Sequence, residues 1–174
     1  MIRKSWREEI PRLARRLARA FDGIEERLAR PLRRTGAAGW SAAEVAEHVA
    51  LANHYLLLLA EKAAAKGIAR RARGTPLHPE ASSWERLERI AERDFAWESP
   101  EHMRPSGSIT AREAAAMLRV QRRRALRLLE RTRDGSGALH TISMSVAGTR
   151  LDLYQILAFV ALHMERHARQ MDRA

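Results

Sequence analysis

Two histidines, His163 and His167, lie four residues apart in a largely apolar segment, residues 153–170. On a helix, this spacing places them about 40° apart around the axis and about 6 Å apart along it. Histidines at positions i and i+4 commonly bind a divalent metal ion together, and a third ligand from a facing helix completes a triad. His48 is the candidate third ligand, because it lies on the apolar stripe of an earlier predicted helix.

Three neutral imidazoles would leave a bound dication its full charge. Such a site favours an open coordination position for water or for an anionic group such as a thiolate. A lone histidine on an apolar face is more often a hydrogen-bonded core residue than a ligand. The spacing of the histidines alone therefore leaves a metal site and a structural role as alternatives.

The depth of the histidines within their helices is consistent with a shared site. His48 lies seven residues past Ser41, the predicted start of its helix, which is about 10 Å along the axis. His167 lies seven residues before the last residue of the chain. We therefore expect the three rings to lie at one level if the two helices run antiparallel.

Helical periodicity predicts the elements that must position these side chains. A first long helix is predicted over residues 5–30, followed by a linker over residues 33–39. Ser41 and Glu44 form a capping box at the start of the second helix, which is predicted to end near Gly67.

The second half of the chain repeats the same start signal. A capping residue with Glu or Gln three positions later predicts three more helix starts: Ser82 with Glu85, Thr110 with Glu113, and Asp152 with Gln155. A loop is predicted over residues 70–82, and the helix after it is short and runs through Trp97. Alternating residues predict an extended stretch over 139–150, a possible small hairpin that turns near Gly148.

These elements predict the fold class. The chain of 174 residues suits a single domain over residues 1–174. We expect an all-α protein, a four-helix bundle with one short extra helix and a possible small hairpin before the last helix.

Composition restricts the possible functions. The chain has no cysteine, so any metal must be held by His, Asp or Glu. The net charge is +11 and comes almost entirely from arginine interleaved with glutamate, without a recognisable nucleic-acid module, so nucleic-acid binding is disfavoured. No apolar run is long enough for a membrane span, and the start lacks the apolar core of a signal peptide. We expect a cytoplasmic protein.

Three patterns frame the candidate ligands: Trp40-Ser-x-x-Glu44-x-x-x-His48, Gly148-x-x-Leu-Asp-Leu, and His163-x-x-Arg166-His167-x-x-Gln170. Together they resemble the DinB-like (YfiT-like) superfamily of four-helix-bundle metalloproteins, over most of the chain. The resemblance implies that His48, His163 and His167 bind a divalent ion, most often nickel or zinc. It also implies a homodimer.

The resemblance implies several activities. Characterised relatives include thiol S-transferases that use bacillithiol or mycothiol, and mycothiol-dependent isomerases. The expected function is thus a metal-dependent enzyme such as a thiol S-transferase, with a small-molecule substrate and a low-molecular-weight thiol. A hydrolase is a variant of this expectation. The alternatives are a non-catalytic, stress-related metal-binding bundle and, less favoured, a nucleic-acid-associated basic protein.

Three further polar residues are candidates for the surroundings of the site. Gln170 follows His167 by one turn and could either hydrogen-bond a ligand ring or pack at the end of the bundle. Glu44 could orient His48, although its capping role already explains it. Gln121 could face the pocket. His54 is predicted to lie outside the cluster. His78, His102 and His140 lie in predicted loops and are expected to be solvated, although His102 or His140 could reach the mouth of a pocket.

Overall fold

A computed structural model of the chain describes residues 5–30, 39–78, 80–92, 100–144 and 148–172. It contains four long helices: α1 (Trp6–Leu28), α2 (Ala42–Ala72), α3 (Ala111–Arg131) and α4 (Leu153–Met171). Three short 3-10 helices occupy the connections: Glu85–Ala91, Glu101–Met103 and Ser136–Leu139. Two strands form an antiparallel hairpin before α4: β1 (Thr141–Met144) and β2 (Thr149–Asp152). The predicted all-α bundle, with a short extra helix and a hairpin, is confirmed.

Helix α4 is the centre of the core. It packs against α1, α2 and the 3-10 helix Glu85–Ala91, while α3 packs against α1 and α2. Every residue from Ile156 to Met164 is at most 2% exposed. The sequence pattern predicts an amphipathic helix here, but neighbours on several sides bury its middle turns all round. None of the described helices is both long enough and apolar enough to cross a membrane.

Three of the predicted capping boxes are present. At the start of α2, the Ser41 hydroxyl accepts from the Glu44 amide at 3.2 Å, and the Glu44 carboxylate accepts from the Ser41 amide at 2.7 Å. The same reciprocal pairs begin α3 at Thr110 and α4 at Asp152. These bonds satisfy backbone donors that the first turn leaves without partners.

The predicted end of α2 near Gly67 is wrong, because the helix continues to Ala72. The loop predicted over residues 70–82 accordingly begins after Ala72. Gly67 serves a different purpose from a helix stop. A Cβ atom at this position would lie 2.3 Å from the carbonyl oxygen of Ser136, so the absence of a side chain lets the 3-10 helix Ser136–Leu139 approach α2 closely.

The capping box predicted at Ser82 is also wrong. The Ser82 hydroxyl donates to the carboxylate of Asp152, and the Glu85 amide donates to the hydroxyl of Ser83 at 3.3 Å. The short helix that follows is a 3-10 helix over Glu85–Ala91. Its predicted continuation to Trp97 falls in residues 93–99, which lie outside the described part of the chain, as does most of the predicted linker over 33–39.

The predicted hairpin is confirmed, and it extends two residues past the predicted stretch, to Asp152. Thr141 pairs with Asp152 and Met144 pairs with Thr149. Gly148, near the predicted turn, has a φ of +60°, a backbone conformation that glycine adopts without strain. Strand β2 ends at Asp152, which is also the N-cap residue of α4.

Candidate metal centre

The structure brings the three predicted ligands together. Nε2 of His48 lies 3.3 Å from Nε2 of His163, which in turn lies 3.1 Å from Nε2 of His167. The first turns of α2 therefore lie beside the last turns of α4, as an antiparallel pair requires. Residues more than 100 positions apart in the chain thus present their imidazoles at one level of the bundle.

Hydrogen bonds outside the cluster set the orientation of two of the rings. Nδ1 of His48 lies 2.7 Å from the carbonyl oxygen of Met103, which can only accept, so this nitrogen carries the proton. Nδ1 of His167 lies 2.9 Å from the amide oxygen of Gln170 and donates in the same way. Each neutral ring then directs the lone pair of Nε2 toward the centre of the cluster.

Burial keeps all three imidazoles neutral. His48, His163 and His167 are 3%, 2% and 6% exposed, respectively. Loss of hydration lowers the pKa of His48, and the hydrogen bond to Met103 offsets this only in part. Burial lowers the pKa of His163 well below its ordinary value, and it lowers the pKa of His167 to about 3, with the neighbouring imidazoles adding to both shifts. Neutral imidazole is the form that binds a metal.

The spacing of the nitrogens fits a metal ion. A tetrahedral ion with metal–nitrogen bonds of about 2.0–2.1 Å holds its donor nitrogens about 3.3 Å apart. The two observed separations, 3.3 and 3.1 Å, agree with this value. The Nε2 lone pairs of His48 and His167 both face Nε2 of His163. That nitrogen can carry at most one proton, which cannot satisfy both lone pairs, whereas a bound cation can. Within the described ranges, His48, His163 and His167 form a cluster whose potential ligand atoms all lie within 4.8 Å of one another.

Two aromatic side chains lie beside the cluster. The ring of Trp40 lies 5.0 Å from that of His48, and the ring of Phe159 lies 6.4 Å from that of His163 in a stacked orientation. Such apolar walls exclude water and strengthen the interaction between a cation and its ligands.

Of the three other candidate residues, Gln170, Glu44 and Gln121, only Gln170 makes a hydrogen bond to a histidine of the cluster among the described contacts. Gln170 contacts the ring of His167, whereas Glu44 caps α2 through Ser41. Gln121 is 3% exposed, and its amide nitrogen donates to the carbonyl oxygen of Ala50 at 2.8 Å. Its amide oxygen has no hydrogen-bond partner among the described residues. Among the described residues, Gln121 therefore binds the backbone of α2 and makes no hydrogen bond to the histidines.

The remaining histidines lie away from the cluster. His54 is exposed on α2, and the ring of His102 lies 5.9 Å from that of Tyr55. The carbonyl oxygen of His78 accepts from the indole of Trp6. His140 follows the 3-10 helix Ser136–Leu139, and burial with nearby cations lowers its pKa.

Sequence reasoning missed two contributors near the site. The carbonyl oxygen of Met103 holds His48, and Glu47, the residue before His48, is 1% exposed and binds the loop that carries Met103. Neither contact has a periodic or local signal, because the partners are more than 50 residues apart in the chain.

The family model of the DinB superfamily matches residues 9–171, which includes all three histidines. Searches of curated proteins and of solved structures gave no significant match.

Proposed function

The chain belongs to the DinB superfamily, and we propose that it binds a divalent metal ion, nickel or zinc, and acts as a metal-dependent thiol S-transferase. The ligands are the Nε2 atoms of His48, His163 and His167. The observation that carries this proposal is the position of Nε2 of His163, 3.3 Å from Nε2 of His48 and 3.1 Å from Nε2 of His167. The rings of His48 and His167 are also held in the tautomer that binds a metal. Nitrogen donors of this kind suit zinc and nickel better than magnesium or calcium.

The surroundings of the ligands favour an anionic partner. A bound divalent ion supplies Lewis acidity, which can deprotonate a thiol whose ordinary pKa is about 8.5. Because the three imidazoles are neutral, they do not compensate the charge of the ion, and a thiolate is attracted to it. Met103 and Gln170 hold the rings of His48 and His167 in place. Trp40 and Phe159 restrict water around the cluster.

The second candidate is a metal-binding bundle without catalytic activity. The observation in its favour is the burial of the ligands, none of which is more than 6% exposed. A substrate could reach a buried ion only if part of the enclosing wall moves. Against this candidate, a purely structural ion usually has four protein ligands, and the described cluster offers three.

Metal analysis of protein purified without a polyhistidine tag tests metal binding by the three histidines, which both candidate functions require. We expect wild type and a His54→Ala variant to retain about one ion per chain, since His54 is an exposed histidine on the same helix as His48. The His163→Ala variant should retain almost none. Equal and substoichiometric metal in all three proteins would contradict the proposed site.

Conjugation assays separate the two candidates. The metal-loaded protein is incubated with low-molecular-weight thiols and electrophilic acceptors, and loss of free thiol is followed with and without a chelator. The transferase requires a rate that disappears on chelation and in the His163→Ala variant. Metal binding without a metal-dependent rate for any of several thiols would favour the non-catalytic bundle.

A further inference from the structure

We infer that Glu47 is a positioning residue for the metal site. Its buried carboxylate fastens the loop of residues 100–110 to α2, so that the carbonyl oxygen of Met103 holds the ring of His48 in its metal-binding orientation. This inference rests on the proposed metal-binding function of His48.

Both oxygens of the Glu47 carboxylate accept hydrogen bonds from the loop. One oxygen accepts from the amide of Ser106 at 2.9 Å and from its hydroxyl at 2.7 Å, and the other accepts from the amide of Gly107 at 2.9 Å. Glu47 is only 1% exposed. Burying a carboxylate is costly unless hydrogen bonds replace its hydration, so these three bonds explain how the charge is accommodated.

The loop has the backbone needed for this contact. Gly107 has a φ of +73°, in the left-handed region that glycine tolerates. A non-glycine residue here would be strained, although a Cβ atom would meet nothing within 4 Å. The glycine is therefore explained by the backbone conformation that presents successive amides to Glu47, and not by crowding.

The same loop holds His48 a few residues earlier. The carbonyl oxygen of Met103 accepts from Nδ1 of His48 at 2.7 Å, and the side chain of Met103 is 4% exposed. Adjacent residues of α2, Glu47 and His48, thus bind the loop on either side of Pro105. Since proline fixes its own φ, the segment between the two attachment points has little freedom to move independently.

The consequence concerns the tautomer of His48. With Nδ1 donating to Met103, Nε2 keeps its lone pair for the metal. If the loop is released, Met103 no longer fixes the tautomer or the angle of the ring, and His48 must be ordered by the metal itself. Partners that orient a ligand in this way typically change metal affinity by about 10- to 100-fold.

The test is metal affinity of the full-length, metal-free protein, measured by competition with a chromophoric chelator for Ni²⁺ and for Zn²⁺. We expect Glu47→Ala to weaken binding by about 10- to 100-fold. Glu47→Gln should have a smaller effect, because its amide oxygen can still accept from Ser106 but its NH₂ group cannot accept from Gly107. If Glu47→Ala does not fold, Glu47→Gln carries the test.

Tyr154→Phe is the control for a loss of stability alone. It removes hydrogen bonds that link the Tyr154 hydroxyl to Thr132 and Gly137, at the start of α4 and away from the histidines. This variant should unfold more easily and yet bind metal as wild type does. Wild-type affinity in both Glu47 variants would overturn the inference while leaving the metal site intact.

A metal-independent readout distinguishes this inference from the proposed function. The ¹⁵N chemical shifts of the His48 ring in the metal-free protein report the tautomer directly. We expect the Nδ1–H form in wild type and in Tyr154→Phe, and a mixture of tautomers in Glu47→Ala. An unchanged tautomer would overturn the positioning role. Failure of wild type to bind metal, with the tautomer shift present, would overturn the metal function and leave only a structural link between Glu47 and His48.

Discussion

Each histidine of the triad loses contact with water when the bundle forms, and burial is the first cause of the lowered pKa of all three. In the unfolded chain each imidazole has an ordinary pKa of about 6.5. Between that value and the lower folded value, the unfolded state binds more protons than the folded state. The triad should therefore make the metal-free protein sensitive to acid.

The free energy of unfolding of the metal-free protein should fall as the pH drops below about 6.5. A histidine whose folded pKa lies well below the pH, while its unfolded pKa lies above it, contributes a limiting slope of about 1.4 kcal/mol per pH unit. Because the folded pKa of His167 is about 3, His167→Gln should reduce the slope by one such increment. Urea denaturation at several pH values between neutral and mildly acidic measures this slope. His54→Gln, which replaces an exposed histidine, is the control. Equal slopes in wild type and His167→Gln would show that His167 is not protected from protonation by folding.

Asn53 is a second residue whose burial has a cost. It is 0% exposed, and neither its amide nitrogen nor its amide oxygen has a hydrogen-bond partner among the described residues. An apolar side chain of similar volume would remove two unsatisfied groups, so Asn53→Leu should raise the free energy of unfolding by about 1–3 kcal/mol. Chemical denaturation of the metal-free protein measures the change.

Gln121→Leu is the matched control for Asn53→Leu. Its amide oxygen is likewise without a partner, but its nitrogen donates to Ala50, so this substitution should gain less or lose stability. Destabilisation by Asn53→Leu would mean that its amide has a role in the folded protein, such as holding an internal water.

At the scale of the elements, helix starts were predictable because their signals are local. Ser41 with Glu44, Thr110 with Glu113, and Asp152 with Gln155 each bond within three residues, so the sequence contains both partners. The i, i+4 spacing of His163 and His167 is local in the same sense. The depth of each residue in its helix was consistent with the pairing of His48 with them, but only for antiparallel helices, and the family resemblance supplied the rest of the prediction.

Contacts between elements were the part that the sequence could not supply. The motif at Ser82 resembles a cap, but the hydroxyl donates to Asp152, which is 70 residues away. Gly67 resembles a helix stop, but the approach of Ser136 explains it. In each case, the local sequence predicts one role for the residue, but the residue instead contacts a partner that only the tertiary fold brings near.

Two helical glycines allow a direct test of this distinction. Gly67→Ala would place a Cβ atom 2.3 Å from the backbone oxygen of Ser136, which cannot move away as a flexible side chain could. We expect a loss of about 1–3 kcal/mol in the free energy of unfolding. At Gly23, in α1, the nearest atom to an added Cβ would be 3.5 Å away, so Gly23→Ala should stabilise by about 0.4–1 kcal/mol. Thermal and urea denaturation of both variants measure the difference, and similar effects at the two sites would contradict the close approach of α2 and Ser136.

At the scale of the whole molecule, many arginines have a structural role, although each ion pair is neutral and does not contribute to the net charge of +11. Arginines and carboxylates pair between elements that are distant in sequence: Arg16 with Glu88 and Glu165, Arg27 with Asp172, Arg122 with Asp22, and Arg124 with Glu61. The interleaving of arginine and glutamate in the sequence thus corresponds in part to contacts that hold the bundle together. These arginines are engaged within the protein and do not present free charges to a polyanion.

Arg16 is the most connected of these arginines, because its guanidinium joins three elements. It donates to Glu165 of α4 at 2.7 Å and to Glu88 of the 3-10 helix Glu85–Ala91 at 2.6 Å, with a second bond to each carboxylate. Its side chain is 22% exposed, so solvent screens the network only in part. These hydrogen bonds raise the pKa of Arg16 and lower that of Glu88. Losing the arginine would leave the carboxylates of Glu88 and Glu165 close together without a cation between the 3-10 helix Glu85–Ala91 and α4.

Arg16→Gln should therefore lower the free energy of unfolding at neutral pH by about 1–3 kcal/mol. Arg133→Gln is the matched control, because Arg133 and Glu130 form an exposed ion pair within one turn, with side chains 77% and 72% exposed. It should cost about 0.5 kcal/mol or less.

The lowered pKa of Glu88 adds a second signature, since its stabilising effect is present above the ordinary carboxyl pKa and is lost as acid protonates it. The difference between wild type and Arg16→Gln in urea denaturation should thus shrink as the pH falls below the ordinary carboxyl pKa of about 4. A difference that is as small as that of Arg133→Gln at neutral pH would mean that packing alone joins α1, α4 and the 3-10 helix.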